Sequence, residues 1–349
     1  MKPRLLVVTT VHHPDDNRIR EKTVRSLEPV FEISYAARAP GPSDRSGLAW
    51  LPLRGSRLRR NFAAWLIAFR GRFDLVSMHD PELLPLGLAL SFARRNVVFD
   101  VHEDVPAQIS TKQWLPSRLR RPTAWVVRGL LRFAERRMTL TLAESSYGRI
   151  LRGDHPVISN YPDTADLPRN AGEGAGAVYV GDVSEARGII DAVVACGAVD
   201  LQLTLVGPCS DSVRSVVESA RLRHGADVVL TGRLPHHEAM MHVAKAAVAL
   251  SPLRDIPNYR NSIPTKVLEY LAVGVPVVAS DLPATREVVA GLEAVELHRP
   301  GDADDLAAAI RRLLDPGQAA KARAQSDRVR ESFRWPADKL RSIYEDARA

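Results

Sequence analysis

The chain has 349 residues, 45% of them apolar, a formal net charge of +7 and only two cysteines. That length suggests two domains of about 150 to 180 residues rather than one. No apolar run reaches the roughly 18 residues that would make a membrane-spanning helix, Arg128 and Arg132 interrupting the longest candidate, while Cys196 and Cys209 show neither a disulfide framework nor metal-type spacing.

From the amino terminus, short apolar runs at 4–10, 31–36, 75–78, 97–101 and 140–143 read as strands, with helical stretches between most of them. The first run is too short for a signal peptide and leads into charged HHPDDNR, so it is read as a strand. Residues 160–176 shift to Pro, Gly, Ala and Asp, which marks a connector. Beyond it, strands are expected at 177–180, 201–206, 228–230, 246–250 and 275–279, again alternating with helices. Such alternation predicts an α/β chain with two Rossmann-like parallel sheets, each covered on both faces. The expected division is 1–163, 164–330 and a terminal helical segment, 331–349, that packs back on the first domain.

Charge separates the halves. Residues 1–163 carry 26 Lys and Arg against 16 Asp and Glu, a balance of +10, and residues 164–349 carry 22 against 25, a balance of −3. Much of the excess lies in 57–72 and 114–137, where arginines alternate with Trp, Leu, Val and Phe at helical spacing. This pattern suits a peripheral contact with an anionic membrane or an acceptor that is lipid-linked or bears phosphate. It equally suits an amphipathic helix whose arginine stems cover apolar surface. No nucleic-acid-binding motif accompanies it. The expected setting is a reducing cytoplasm, at the inner face of the membrane if that contact is made.

Ligands of open parallel sheets sit beyond the carboxyl ends of the strands. Polar clusters fall at those positions: HHPDDNRIRE (12–21), HDPE (79–82), HED (102–104), GDVSEARG (181–188), GPCSD (207–211) and TGRLP (231–235). Two sheets facing each other across a cleft would bring them together, as in an enzyme. His12, His13, Asp15 and Asp16, or Asp100, His102 and Asp104, could supply metal ligands, but their spacing imposes no closed geometry and no metal is expected. Asp302 and Asp304, after Pro300 and Gly301, are better read as capping a helix start.

The stretch 258–281, NYRNSIPTKVLEYLAVGVPVVASD, is the centre of this reading. A polar turn leads into a helix expected from Pro264 and then a buried strand. Backbone N–H groups at the first turn, around Thr265, together with the Lys266 ammonium suit an anion such as a diphosphate. Glu269, one turn on, could accept hydrogen bonds from ribose hydroxyls. A solvated Lys–Glu helix pair is the ordinary alternative.

The same segments resemble the family-4 glycosyltransferases of GT-B fold. In that family a glutamate, seven residues and a second glutamate precede Ala/Gly-x-Pro-Val-Val-Ala-Ser. Glu269 matches the second glutamate, AVGVPVVASD matches the strand, and Asn261 stands at the first glutamate. Ile263, Pro264, Thr265 and Lys266 before Glu269 and Tyr270 look like a subset of the family. The resemblance implies a ribose contact for Glu269 and donor contacts for Asn261, Ser262, Ile263, Pro264 and Thr265. YVGDVSEARG resembles the family's strand, loop and helix, which places Gly181 at the donor and makes Arg187 the cation that meets its diphosphate. Asp182 stands where an arginine is more usual, and Lys266 is the substitute cation. LTGRLPHHE resembles the segment lining the base pocket, which implicates Arg233 and Leu234. DLVSMHDPELLPL implies a donor-sugar contact for His79, and VVFDVHEDVP places His102 and Glu103 in the same cleft. HPDDNRIRE replaces the family's Gly-Gly loop, so Asp15, Asp16, Asn17 and Arg18 are expected on the acceptor side.

The activity implied is transfer of a sugar from a nucleotide-diphosphate donor to a hydroxyl with retention, as in envelope polysaccharide, glycolipid or glycosylated metabolite synthesis. No cofactor is implied beyond the sugar nucleotide as substrate. Asn261 and Asp182 also admit a catalytically silent sugar-nucleotide-binding subunit, and the fold admits an epimerase or phosphorylase.

Overall fold

Apolar runs become twelve parallel strands in two six-stranded sheets in a computed structural model that describes residues 1–42, 48–102, 105, 109, 116–164, 167–172 and 174–349. The chain divides into one unit of residues 1–160 with 335–349 and another of residues 161–334.

In the first unit the strands are β1 (Arg4–Val8), β2 (Glu32–Arg38), β3 (Leu48–Leu53), β4 (Leu75–Met78), β5 (Val97–Val101) and β6 (Thr139–Leu142). Their order is β3-β2-β1-β4-β5-β6. Side chains alternate across the sheet. Leu6 and Val8 face a core built with the helices Arg57–Arg70, Leu84–Phe92 and Ser117–Ala134, whereas Leu5 and Val7 face a core that includes Ile19, Leu27, Trp335 and Tyr344. The helix Ala337–Arg348 therefore belongs to this unit. Trp335 Nε1 donates to Ser26 Oγ at 2.8 Å, and buried Trp335, Leu340 and Tyr344 each contribute on the order of 2 kcal/mol through burial.

In the second unit the strands are β7 (Ala177–Val180), β8 (Leu203–Val206), β9 (Val228–Gly232), β10 (Val248–Ser251), β11 (Val277–Ser280) and β12 (Val295–His298). Their order, β12-β11-β10-β7-β8-β9, repeats the topology of the first unit read from the other edge. Each sheet thus has one place where the strand order reverses, between β1 and β4 and between β7 and β10. In open parallel sheets that is where a crevice forms at the carboxyl ends.

The structure adds β3 and β12 to the expected strands. Both are edge strands with one pairing partner, and neither is a continuous buried run: β3 carries Pro52 and half-exposed positions, and β12 carries Glu296. The helix expected from Pro264 runs Thr265–Val273 and stops at Gly274, whose φ of 91° is the left-handed geometry of a helix end. Asp302 caps the helix Ala303–Leu313 by accepting from the Asp305 N–H at 3.0 Å. No described helix is long and apolar enough to cross a membrane.

Candidate functional site

In the second unit, β7 ends at Val180, just before Gly181, and the Lys266 side chain reaches back to that point from its helix. The Lys266 Nζ donates to Tyr179 Oη at 3.2 Å and lies 4.7 Å from the centre of the Tyr179 ring. Tyr179 in turn donates to the Asp182 carbonyl at 3.0 Å. Only glycine fits at position 181: φ is 143°, and a Cβ would come 1.8 Å from Lys266 Nζ. The helix is held to the strand by Tyr270, whose buried hydroxyl accepts from the Val180 N–H at 2.9 Å.

Arg187 closes the turn Glu185–Arg187, and Gly188 follows at φ 69°, where a Cβ would meet the Pro252 carbonyl beyond β10 at 1.7 Å. Its guanidinium lies 4.7 Å from the Tyr259 ring centre. Neither Arg187 nor Lys266 forms an ion pair with a carboxylate among the described residues. Burial first, and then the Arg187 charge, pull the Lys266 ammonium down from 10.5 to about 7, with Glu269 and Asp182 opposing. Two cations held together without a close counter-ion are an arrangement that an anion relieves.

Glu269 faces the same helix start from one turn on. It is buried, and its Oε1 lies 3.5 Å from His236 Nε2, a half-exposed ring. That is the single ion-pair contact of this carboxylate among the described residues, which leaves acceptor capacity for hydroxyl donors. His236 opens the helix His236–Ala244 directly after exposed Arg233 and half-buried Leu234.

The first-turn N–H groups depart from the sequence expectation. The Thr265 N–H donates to Ile263 O at 2.9 Å and the Val267 N–H to Pro264 O at 2.9 Å, so Thr265 does not offer its N–H outward. No side chain caps this helix. Asn261, Ser262, Ile263 and Pro264 form its approach, Asn261 exposed and Pro264 buried.

The first unit builds a denser cluster at its own strand-order reversal. After β4 come His79 and Asp80, both buried. Asp80 Oδ2 accepts from Thr9 Oγ1 at 2.9 Å and from the Thr10 N–H, and Oδ1 lies 2.7 Å from His12 Nδ1. Burial alone would raise its pKa, but the His12 hydrogen bond and charge and the Thr10 and Thr9 donors outweigh it and hold Asp80 well below the usual range. Asp100, in β5, receives both arms of Arg18, Nε to Oδ2 and Nη2 to Oδ1 at 2.8 Å each, and Thr141 Oγ1 at 2.9 Å. Burial there is likewise outweighed, by Arg18 and then His79, and Asp100 stays ionised.

Two histidines bridge these acids. His12 Nε2 and His102 Nε2 are 3.3 Å apart, and His102 Nδ1 lies 3.1 Å from the Asp100 carbonyl. The two rings meet edge to face, their centres 4.9 Å apart. Burial, with His12 and His79 nearby, lowers the His102 pKa against the pull of Asp100. His79 Nε2 lies 3.2 Å from Ser77 Oγ, which is 2.7 Å from Tyr344 Oη. The buried His79 Nδ1 has no hydrogen-bond partner among the described residues, Asp100 Oδ2 being 3.4 Å away. His79, Asp100 and His102 also place ligand atoms within 4.8 Å of one another, but both Asp100 oxygens already serve Arg18.

The structure thus gathers Gly181, Arg187, Lys266 and Glu269 in one unit, and His79, Arg18 and His102 in the other. Two residues expected on the acceptor side have structural partners. Arg18 is buried and committed to Asp100 and the Ile158 carbonyl, and Asp16 caps the helical segment Asn17–Val24 by accepting from the N–H groups of Arg18 and Ile19. Asp15 is half-buried near His13, and Asn17 is exposed. Glu103 and Asp104 lie outside the described residues. Sequence reasoning missed Tyr179, Tyr259, His236 and Asp80 as individual partners and weighed His12 only as a metal ligand; all but Tyr179 stand in segments it had marked, whereas Tyr179 reads as a core residue of its strand.

Residues 176–316 match the model of the family described as glycosyl transferases group 1. A glycogen synthase of Mycobacterium tuberculosis is 28% identical over 186 residues, 51% of this chain and 43% of that protein, so the chain spans less than half the length of that relative. A sucrose-phosphate synthase from Thermosynechococcus elongatus has a TM-score of 0.78 at 18% identity over 99% of both chains. Anabaena HepE in complex with UDP and glucose has a TM-score of 0.75 at 15% identity over 99% of this chain and 98% of that one. These likenesses establish the fold, two Rossmann-like α/β units of GT-B type. The matched segment contains Gly181, Arg187, Lys266 and Glu269.

Proposed function

We propose that the chain is a retaining, family-4 glycosyltransferase that takes a sugar from a nucleoside-diphosphate donor to an acceptor hydroxyl. The observation that carries this reading is the neighbouring pair of cations, Lys266 and Arg187, with no carboxylate partner among the described residues and a buried Glu269 one turn away. The match of residues 176–316 to group 1 glycosyl transferases supports it, and HepE, solved with UDP and glucose, supports a nucleotide-sugar donor.

In this mechanism the donor diphosphate lies against Lys266 and Arg187, with Glu269 accepting from the ribose hydroxyls. As the bond between the anomeric carbon and the phosphate oxygen breaks, negative charge grows on the leaving diphosphate, and the two cations stabilise it. The acceptor oxygen bonds to the anomeric carbon on the same face, and its proton passes to the leaving phosphate oxygen. No protein nucleophile takes part. The basic first unit suits an acceptor that is lipid-linked or bears phosphate, and the two free cysteines suit a reducing cytoplasm.

The test is nucleotide release from a panel of sugar nucleotides, with and without lipid-linked acceptors, followed by NMR of the product's anomeric configuration. Acceptor-dependent release with a retained linkage is expected. Tight donor binding without release from any pairing would indicate a silent binding subunit, and an inverted linkage would remove the front-face mechanism.

A further inference from the structure

The helices Arg57–Arg70 and Ser117–Ala134 cover the same face of the first unit's sheet, both packing into the core that contains Leu6 and Val8. Their outer sides are unusual for a solvated surface. Leu58 is 83% exposed, Phe62 67% and Trp125 77%, and Val126 stands beside Trp125 at 51%. Large apolar side chains left exposed on helices that cover one sheet face mark an interaction surface.

The charge around them has one sign. Residues 57–72 hold five arginines and no acid, and residues 116–137 hold seven arginines and the single acid Glu135. Glu135 is engaged: its carboxylate accepts from the N–H groups of Arg152 and Gly153 and meets His155 at 3.1 Å. Between the end of the second helix and Arg152 lies an open pocket of about 290 Å³, lined by Trp125, Arg128, Arg132, Phe133, Arg136 and Arg152. Four guanidinium groups and two aromatic rings surround a volume that accommodates a phosphate headgroup.

We propose that this helical face docks on an anionic lipid bilayer, with the arginine pocket holding a lipid phosphate and Trp125, Val126, Leu58 and Phe62 entering the headgroup boundary. Aromatic and aliphatic side chains among arginines on a surface helix have this physics: the apolar tips leave water, and the guanidinium groups stay at the phosphate level. Leu58 and Val126 have no role on a nucleic acid, which would use the arginines and rings alone. The inference is independent of the donor chemistry in the second unit.

The test uses the full chain and sedimentation with unilamellar vesicles of phosphatidylcholine alone or mixed equally with phosphatidylglycerol. Binding is expected on the mixed vesicles alone and should weaken as salt rises. Arg128→Glu with Arg136→Glu, both exposed positions, should weaken it by at least about tenfold, and Trp125→Ser should weaken it at unchanged salt dependence. Each variant should keep the parent's circular dichroism spectrum and thermal midpoint, which shows that it is folded. The salt series on the unaltered chain decides the matter if a variant fails to fold. Equal binding to both vesicle types, no binding to either, saturation of the pocket by free inorganic phosphate without vesicles, or preference for a duplex oligonucleotide over the mixed vesicles would each overturn the proposal.

Discussion

The two units place polar clusters at the same topological position and charge them in opposite ways. In the first, the described buried carboxylates at the strand-order reversal are answered: Asp80 by His12, Thr9 and Thr10, and Asp100 by Arg18 and Thr141. In the second, Lys266 and Arg187 stand together and no described carboxylate lies within ion-pair distance of either. A satisfied network fixes a structure, whereas unanswered charge of one sign is stabilised only when something else arrives. The comparison places Arg18 and Asp100 in the architecture of the first unit and leaves Lys266 and Arg187 as the cations of the proposed donor site.

Breaking the satisfied network should give the largest effect. Asp100→Asn leaves the buried Arg18 guanidinium without its counter-ion, and a loss of about 3–5 kcal/mol in unfolding free energy is expected from denaturant titration. A loss below about 1 kcal/mol would mean that the pair is not what holds β5 to the segment after β1.

The same kind of change in the second unit should act on function and spare stability. Lys266→Met removes an ammonium that the fold disfavours, so turnover should fall by roughly a hundredfold or more with no loss of thermal stability near neutral pH. The pH dependence has a defined sign. Between about 7 and 10.5 the unfolded chain keeps a proton that folded Lys266 has released, so this residue makes stability rise with pH across that window, and Lys266→Met should flatten the rise. A Lys266→Met protein that is markedly less stable yet turns over normally would reverse the assignment.

A smaller change sharpens the division within the second unit. Glu269→Gln should weaken binding of a nucleoside diphosphate by about tenfold, the cost of losing a charged acceptor, and should make the protein indifferent to removal of the ribose hydroxyls. If the parent already binds the ribose and deoxyribose forms equally, Glu269 does not meet that sugar.

Much of this was legible in the sequence, for physical reasons. Central strands such as Leu75–Met78 and Val97–Val101 are buried on both faces and announce themselves as apolar runs, whereas β3 and β12 are edges and do not. Lys266 and Glu269 stand out in the sequence because a helix start fixes their spacing, and Arg187 entered through the resemblance of its segment. Tyr179 was not, because its ring serves the core while its hydroxyl meets Lys266 and Asp182, and a strand pattern reports only the ring. Arg18 shows the converse: a polar residue in a polar loop reads as a ligand contact until the fold brings Asp100 to it from a distant strand. The His12 and His102 pair likewise joins segments 90 residues apart.

Calorimetric titration of a nucleoside diphosphate at pH 8, in two buffers of different ionisation enthalpy, tests the central claim most directly. If the diphosphate is the missing partner of Lys266 and Arg187, its binding restores the Lys266 proton. The parent should then take up close to one proton per site, with affinity falling by no more than about tenfold per pH unit as pH rises above 7, and Lys266→Met should bind more weakly with no uptake. Binding of equal strength in both proteins, with no proton exchanged in either, would contradict the account.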